Sequence, residues 1–458
     1  MAFAYPGDLI PVIQARWGEG QRRGSVMPTD RLPPPEIIRA ALEMAYHLSF
    51  QTEEQRRIQC QIALCSPDLV DAANNPALEQ VVFRPPRPFT LAELLQLAPA
   101  ADPRVALIGV EPRAGGSGPW AEGGACQAAD GGFRAEDRLQ IWGLVNIGSD
   151  WWEFSHGGGL GPAVFPPPCL IVSVMEPGSI SVSWGGLVLA TLRDGRVALP
   201  QDNPLHRGPV AQFLAPGAEA FARAVLRELG LDRWDPEGED EEYPQRFYRH
   251  YLERLAHHIR MRQHGGTVLL VPGGVSPNDG WMARRVAFKY VAPAPGVWEL
   301  LVRCLVLRRR LADRQGQMER AETIAGADFR SLQDLSLELQ AVERALSESV
   351  RFLAALAAVD GALVLNDRYQ LLGFGAEVIA MAPELRTIRL ARDALAREKE
   401  PWPIDAFGTR HRSALRFCYH CPDALAVIVS QDGDVRVARR LGDEVVLWPE
   451  VTLGELGV

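Results

Sequence analysis

Two short stretches of the chain hold the residue types from which phosphate chemistry is built. The first is Gly408-Thr409-Arg410-His411-Arg412, at the mouth of an expected helix. Free backbone N–H groups and the positive end of the helix dipole lie at such a mouth, with two guanidiniums, an imidazole and a hydroxyl beside them. Arginine grips a phosphate through two parallel hydrogen bonds, threonine adds a neutral donor, and glycine lets the backbone approach closely. A solvated helix start with ordinary surface charges has the same composition, so the run alone leaves both readings open. The second stretch is Asp360-Gly361-Ala362, where a long apolar helix gives way to a buried strand. A carboxylate is unfavourable at that border unless it holds a metal or a hydroxyl, or caps a turn. Merely ending the helix is the alternative task for Asp360.

Other reactive groups give weaker signals. Ser155-His156-Gly157-Gly158-Gly159 has the look of an esterase oxyanion loop, but no G-x-S-x-G elbow accompanies it, so it reads as a glycine-rich loop. Cys418-x-x-Cys421 encloses His420 and lacks a second pair, which favours ordinary helix-borne thiols over zinc or redox chemistry. The run Leu307-Arg308-Arg309-Arg310 reads as a solvated helix face. His250, His257 and His258 share a helix without a companion acid at ligand spacing and read as surface or packing residues.

The elements that must position these residues follow from length and pattern. A chain of 458 residues calls for two or three domains. Its 48 basic and 57 acidic side chains leave a net charge of −9, which argues against general nucleic-acid binding and against an anionic membrane as partner. No window reaches the roughly 20 apolar residues of a membrane span, and the opening MAFAYPGDLIPVIQARW has no basic flank before an apolar core, so a cytoplasmic location is expected. Residues 1–35, rich in Pro, Gly and Arg, are expected as an extended lead-in. A helix over Pro35–Phe50 and strands at Arg57–Cys65, Arg104–Val110, Leu139–Ile147, Leu170–Val174, Ser179–Trp184 and Leu187–Leu192 give a mixed-sheet α/β domain over 36–232. Residues 233–243 read as an acidic linker. The second α/β domain, 244–458, begins with a helix bearing Tyr248, Leu252, Leu255 and Ile259 and runs into the strand Thr267–Val271. A helical insertion spans about 297–349; its near-heptad stripe, Leu332 to Leu353, reads as a packing seam. The strand Ala362–Leu365 returns through Asn366-Asp367 along Tyr369–Phe374, a helical mixed-charge segment follows, and Gly408–Arg412 opens a helix before the strands Leu425–Ser430 and Val435–Ala438.

The order of Asp360-Gly361-Ala362, Gly408-Thr409-Arg410-His411-Arg412 and the strand ALAVIVS ending at Ser430 resembles the diadenylate cyclase (DAC) domain, the domain at the N-terminus of the DNA-integrity scanning protein DisA. The resemblance covers about 243–438, apart from the helical insertion, and leaves the N-terminal half unexplained. It implies a DAC-like α/β fold in which two ATP molecules meet across a homodimer, and each 3′-hydroxyl attacks the other's α-phosphate to give cyclic di-AMP and pyrophosphate. By the same resemblance Asp360 would sit beside a Mg²⁺ or Mn²⁺ ion and the attacking hydroxyl. Thr409, Arg410 and His411 would hold phosphates, with Arg412 supporting them in the catalytic set. Gly361, Ala362, Gly408 and Ser430 complete the implied nucleotide-binding residues. Val359 and Gln431 stand where many membrane-linked members carry a His and a Glu useful to a divalent ion, which leaves Asp432 as the replacement metal ligand. The segment Glu384–Pro403 is also longer than in minimal cyclases. With its large N-terminal domain and its SQDGDVRVA ending, the chain is more similar to bacterial members regarded as nucleotide sensors. Its expected partner is a purine nucleotide, ATP or a cyclic dinucleotide, with diadenylate cyclase activity as the alternative.

Overall fold

The structure is a computed structural model; it describes residues 3–22, 32–53, 56–70, 79–103, 105–113, 138–147, 168–184, 187–193, 195–199, 203–234, 241–292, 296–320, 326–431, 433–449, 451 and 453. It is an α/β protein of two compact units, Met1–Pro200 and Gln201–Leu453. None of the described helices is long and apolar enough to cross a membrane.

The first unit contains α1 (Leu9–Arg22), α2 (Pro35–Ser49) and α3 (Leu91–Leu97). Its strands are β1 (Thr52–Glu53), β2 (Arg56–Arg57), β3 (Cys60–Leu64), β4 (Glu79–Pro88), β5 (Ala106–Pro112), β6 (Leu139–Asn146), β7 (Leu170–Glu176), β8 (Ser179–Trp184), β9 (Leu187–Arg193) and β10 (Arg196–Ala198). The expected extended lead-in is corrected by α1. Leu9, Ile10, Ile13 and Trp17 fall on one helical face, that face is buried, and Trp17 meets Trp184 edge-on with ring centroids 4.3 Å apart. Pro11 lies in the first helical turn, where its missing N–H has no intrahelical partner to lose.

The second unit opens with α4 (Gly208–Leu229) and α5 (Tyr243–Met261), then β11 (Gly266–Val271), α6 (Gly280–Ala283), β12 (Val286–Val291), α7 (Trp298–Glu319) and α8 (Gly326–Leu356). It continues with β13 (Ala362–Asn366), β14 (Leu371–Val378), β15 (Thr387–Ala391), β16 (Lys399–Pro403), α9 (Thr409–His420), β17 (Leu425–Val429), β18 (Val435–Leu441) and β19 (Glu444–Trp448). Here the structure departs from the expected boundaries. The division falls at Pro200/Gln201 rather than in 233–243, because α4 packs into the second unit through Phe221, which stacks on Phe247 of α5 at 6.0 Å. The acidic residues 235–240 lie outside the described ones. Helices α7 and α8 occupy the expected insertion, yet they build core: Leu339, Val342, Leu346 and Leu353 are buried, as expected of a packing seam. The mixed-charge segment before Gly408 is not helical. Ile388 and Leu390 alternate with polar neighbours at the period of a strand, and β15 pairs antiparallel with β16.

One topology occurs twice. In the first unit the strand order is β10-β9-β8-β7-β3-β5-β6-β4, and in the second it is β12-β14-β13-β11-β17-β18-β19-β15-β16. Read from β9, the first sheet runs 9-8-7-3-5-6-4; read from β19 toward β12, the second runs 19-18-17-11-13-14-12. The directions agree as well. In each, one central pair is parallel, β3 with β5 and β11 with β13, while β7 or β17 lies antiparallel on the other side of the central strand. A helix, α2 or α5, precedes each central strand.

Candidate functional site

Strand directions decide which residues share an end of the second sheet. Because β11 and β13 are parallel, their N-terminal ends lie together, and because β17 is antiparallel to β11, its C-terminal end joins them. The registers pair Val268 with Leu363 and Gly266 with Val429. Gly265, just before β11, lies against the backbone of Val429 and Ser430, and Asp360 lies two residues before β13 at the same end of the sheet.

Arg410 arrives at the same place from α9. Gly265 has φ +69, and a Cβ there would lie 2.7 Å from Arg410 Nη1 and 2.7 Å from the carbonyl oxygen of Val429. The guanidinium therefore rests on a glycine that has no side chain to push it away. Asp360 is exposed, and Gly361 beside it, at φ +118, has its α-carbon against the backbone of Gly375 and Ala376. Lys289 Nζ on β12 donates to the Asp360 carbonyl oxygen at 3.1 Å, bringing a second cation to this end. Ala362 is buried as the first residue of β13.

Gly408 is the N-cap of the twelve-residue α9, with no side chain capping the first turn. A Cβ at Gly408 would meet nothing within 4 Å, and Thr409 is exposed, so the amide end of the helix is open to an anion. His411 is turned inward. Its Nε2 accepts from Arg436 Nη1 at 3.0 Å, and burial, with Arg436 and then Arg410 nearby, pushes the imidazole down to about 4. At neutral pH it is an uncharged support for Arg436, a different position from the expected phosphate contact. Arg436 also pairs with Asp434 at 2.8 Å, and the Asp434 N–H donates to Ser430 Oγ at 3.0 Å. Ser430 thus closes the turn into β18. Arg412 is half-buried, 4.0 Å from the exposed carboxylate of Asp405, on the flank of the helix.

The donor set bears on the implied Mg²⁺ or Mn²⁺. Asp432 lies outside the described residues, and the Asp434 carboxylate is engaged by Arg436. Among the described residues no group of three or more His, Cys, Asp or Glu side chains could hold a metal ion. The described groups around Asp360 supply no set of three such side chains.

Gly265, Lys289, Asp434 and Arg436 do not stand out in the sequence. Lys289 carries one faint signal, being one of two lysines in the chain. The remaining reactive residues are structural. Arg308 pairs with Glu343 at 2.7 Å, Arg309 donates to the Trp234 carbonyl at 2.8 Å and Arg310 to the Glu228 carbonyl at 3.3 Å, so the arginine run ties helices together rather than forming a solvated face. His250 does have a companion acid: Glu253, one helical turn on, accepts at 2.9 Å. Cys418 is a buried thiol on α9 that donates to the Ala438 carbonyl. Residues 155–159 lie outside the described ones.

Residues 27–120, within the first unit, match the model of a family described as probable sensor domain DACNV. No curated protein matches the chain.

Proposed function

We propose that the second unit binds a phosphorylated purine, ATP or a cyclic dinucleotide, at the sheet end that carries Asp360, Gly361, Arg410 and the mouth of α9, and that the chain is a nucleotide sensor. One observation supports this reading: Arg410 of α9 packs on Gly265, at the same end of the sheet as Asp360, and the N-terminus of α9 has no side-chain cap. In this arrangement Arg410, Lys289 and the first-turn amides hold phosphates, and the Asp360 carboxylate accepts from a ribose hydroxyl. The sensor-family match in the first unit supports a sensing role for the chain as a whole.

Diadenylate cyclase activity is the second reading, favoured by the exposure of Asp360 where an attacking 3′-hydroxyl would need an acceptor. It requires two copies of the chain face to face and a divalent ion, for which the described donors are a poor set. Incubating the full chain with ATP and Mn²⁺ and assaying for cyclic di-AMP separates the two. The sensor reading expects saturable nucleotide binding without product. Product that disappears in Asp360→Asn establishes the enzyme instead, and an absence of binding to either ATP or cyclic di-AMP removes both.

A further inference from the structure

A polar cavity lies at the other end of the β11–β13 parallel pair from Asp360. It has a volume of about 310 Å³ and is walled by Gly217 and Ala220 of α4, Gly273 and Gly274 after β11, and the β13–β14 turn. Strand β11 is six residues long, so roughly 20 Å separates this cavity from the Asp360 end. The carboxyl ends of parallel strands are where open α/β sheets form ligand crevices.

Its polar groups are held in place and incompletely used. Asn366 is spent on structure: its Oδ1 accepts from the Arg368 and Gln370 amides at 2.9 and 3.0 Å, and its Nδ2 donates to Gln370 Oε1 at 2.7 Å. The carbonyl oxygen of Asp367 accepts from Tyr248 Oη at 2.6 Å, and Tyr248 in turn stacks on Tyr369 with centroids 4.8 Å apart. The Asp367 carboxylate is therefore fixed by its backbone, yet its Oδ1 is buried without a hydrogen-bond partner among the described residues. Gly273 leaves it room, since a Cβ there would sit 2.5 Å from that same oxygen. At the rim, the exposed Arg368 has its guanidinium over the Trp298 ring at 5.4 Å, a contact that positions the cation.

We infer that this cavity binds a small zwitterion, of the size and chemistry of a free amino acid, with its ammonium on the Asp367 carboxylate and its carboxylate on Arg368. The cavity is lined by one carboxylate and one guanidinium, the two opposite charges that a zwitterion matches. The inference does not rest on the nucleotide reading.

The test is calorimetric titration of the full chain with glycine, L-serine, L-lysine and 4-aminobutyrate, each at millimolar concentration, and with the N-acetyl and methyl-ester forms of any that binds. Saturable binding of at least one of the four is expected, weakened at least about tenfold in the isosteric Asp367→Asn and also in Arg368→Ala, and lost when either charge is blocked. Arg368 is exposed, so its variant remains informative if Asp367→Asn lowers the melting temperature. Arg410→Ala, at the other end of the sheet, should leave the affinity unchanged. If none of the four binds, or if binding persists in both cavity variants, the inference is overturned.

Discussion

Gly265 and His411 are the residues on which the cationic end of the second sheet depends, and each can be tested without touching the ligand. Gly265 has a left-handed backbone, and a methyl group there would strike both the Val429 carbonyl and the Arg410 guanidinium. Gly265→Ala should therefore lower stability by about 1–2 kcal/mol, the usual cost of that conformation for a residue with a Cβ, and weaken nucleotide binding because Arg410 must move. Melting and titration on the same variant check both effects; unchanged affinity would detach Arg410 from the site. His411 makes a pH prediction. Its folded value of about 4 lies below the usual 6.5, so between those values the unfolded chain binds the proton more readily than the fold does. Its contribution to stability is complete above about pH 6.5 and is lost as pH falls toward 4. Urea midpoints measured across that window should fall less steeply in His411→Gln than in the unaltered chain.

At the level of elements, the anchoring of α5 explains where the unit begins. Glu253, fully buried on α5, accepts from Asn203 Nδ2 at 2.9 Å and lies 2.7 Å from His206 Nε2 and 2.9 Å from His250 Nδ1. Burial alone would raise the carboxyl, but the two imidazoles outweigh it and hold Glu253 well below the carboxylate range. These bonds tie residues 203–206 to the second unit. Glu253→Ala strands two buried partners, Asn203 and His250, together with the part-buried His206, and should cost on the order of 3 kcal/mol in denaturant unfolding, whereas a cost near zero would make the cluster incidental. Composition pointed instead to the acidic run as the boundary, because charge density is visible locally and a buried contact is not. The same limit governs the other misreadings. Pro and Gly around α1 masked its Leu9, Ile13 and Trp17 face, and charges in β15 masked the alternation of Ile388 and Leu390. Most other strands were legible through their β-branched runs, and the hairpin through Asn366-Asp367. Asp360 and the Gly408–Arg412 run were legible by residue type, while Gly265, Lys289 and Arg436 became visible only once the strands were paired.

For the whole molecule, the repeated strand order changes what the two units mean. A chain built from one topology used twice, with a sensor-family match in the first copy and a sheet end bearing Arg410 and Lys289 in the second, is organised as tandem modules. The net charge of −9 gives no general attraction for anions, so on the proposed reading a nucleotide would be drawn by the local cations of that sheet end. Titrating the full chain with ATP and with cyclic di-AMP, side by side with Arg410→Ala, addresses this most directly. Saturable binding of one of them, weakened by about 1.5–3 kcal/mol or roughly ten- to a hundredfold in Arg410→Ala, is the expected result. Equal affinity in the two proteins would show that the phosphates bind elsewhere.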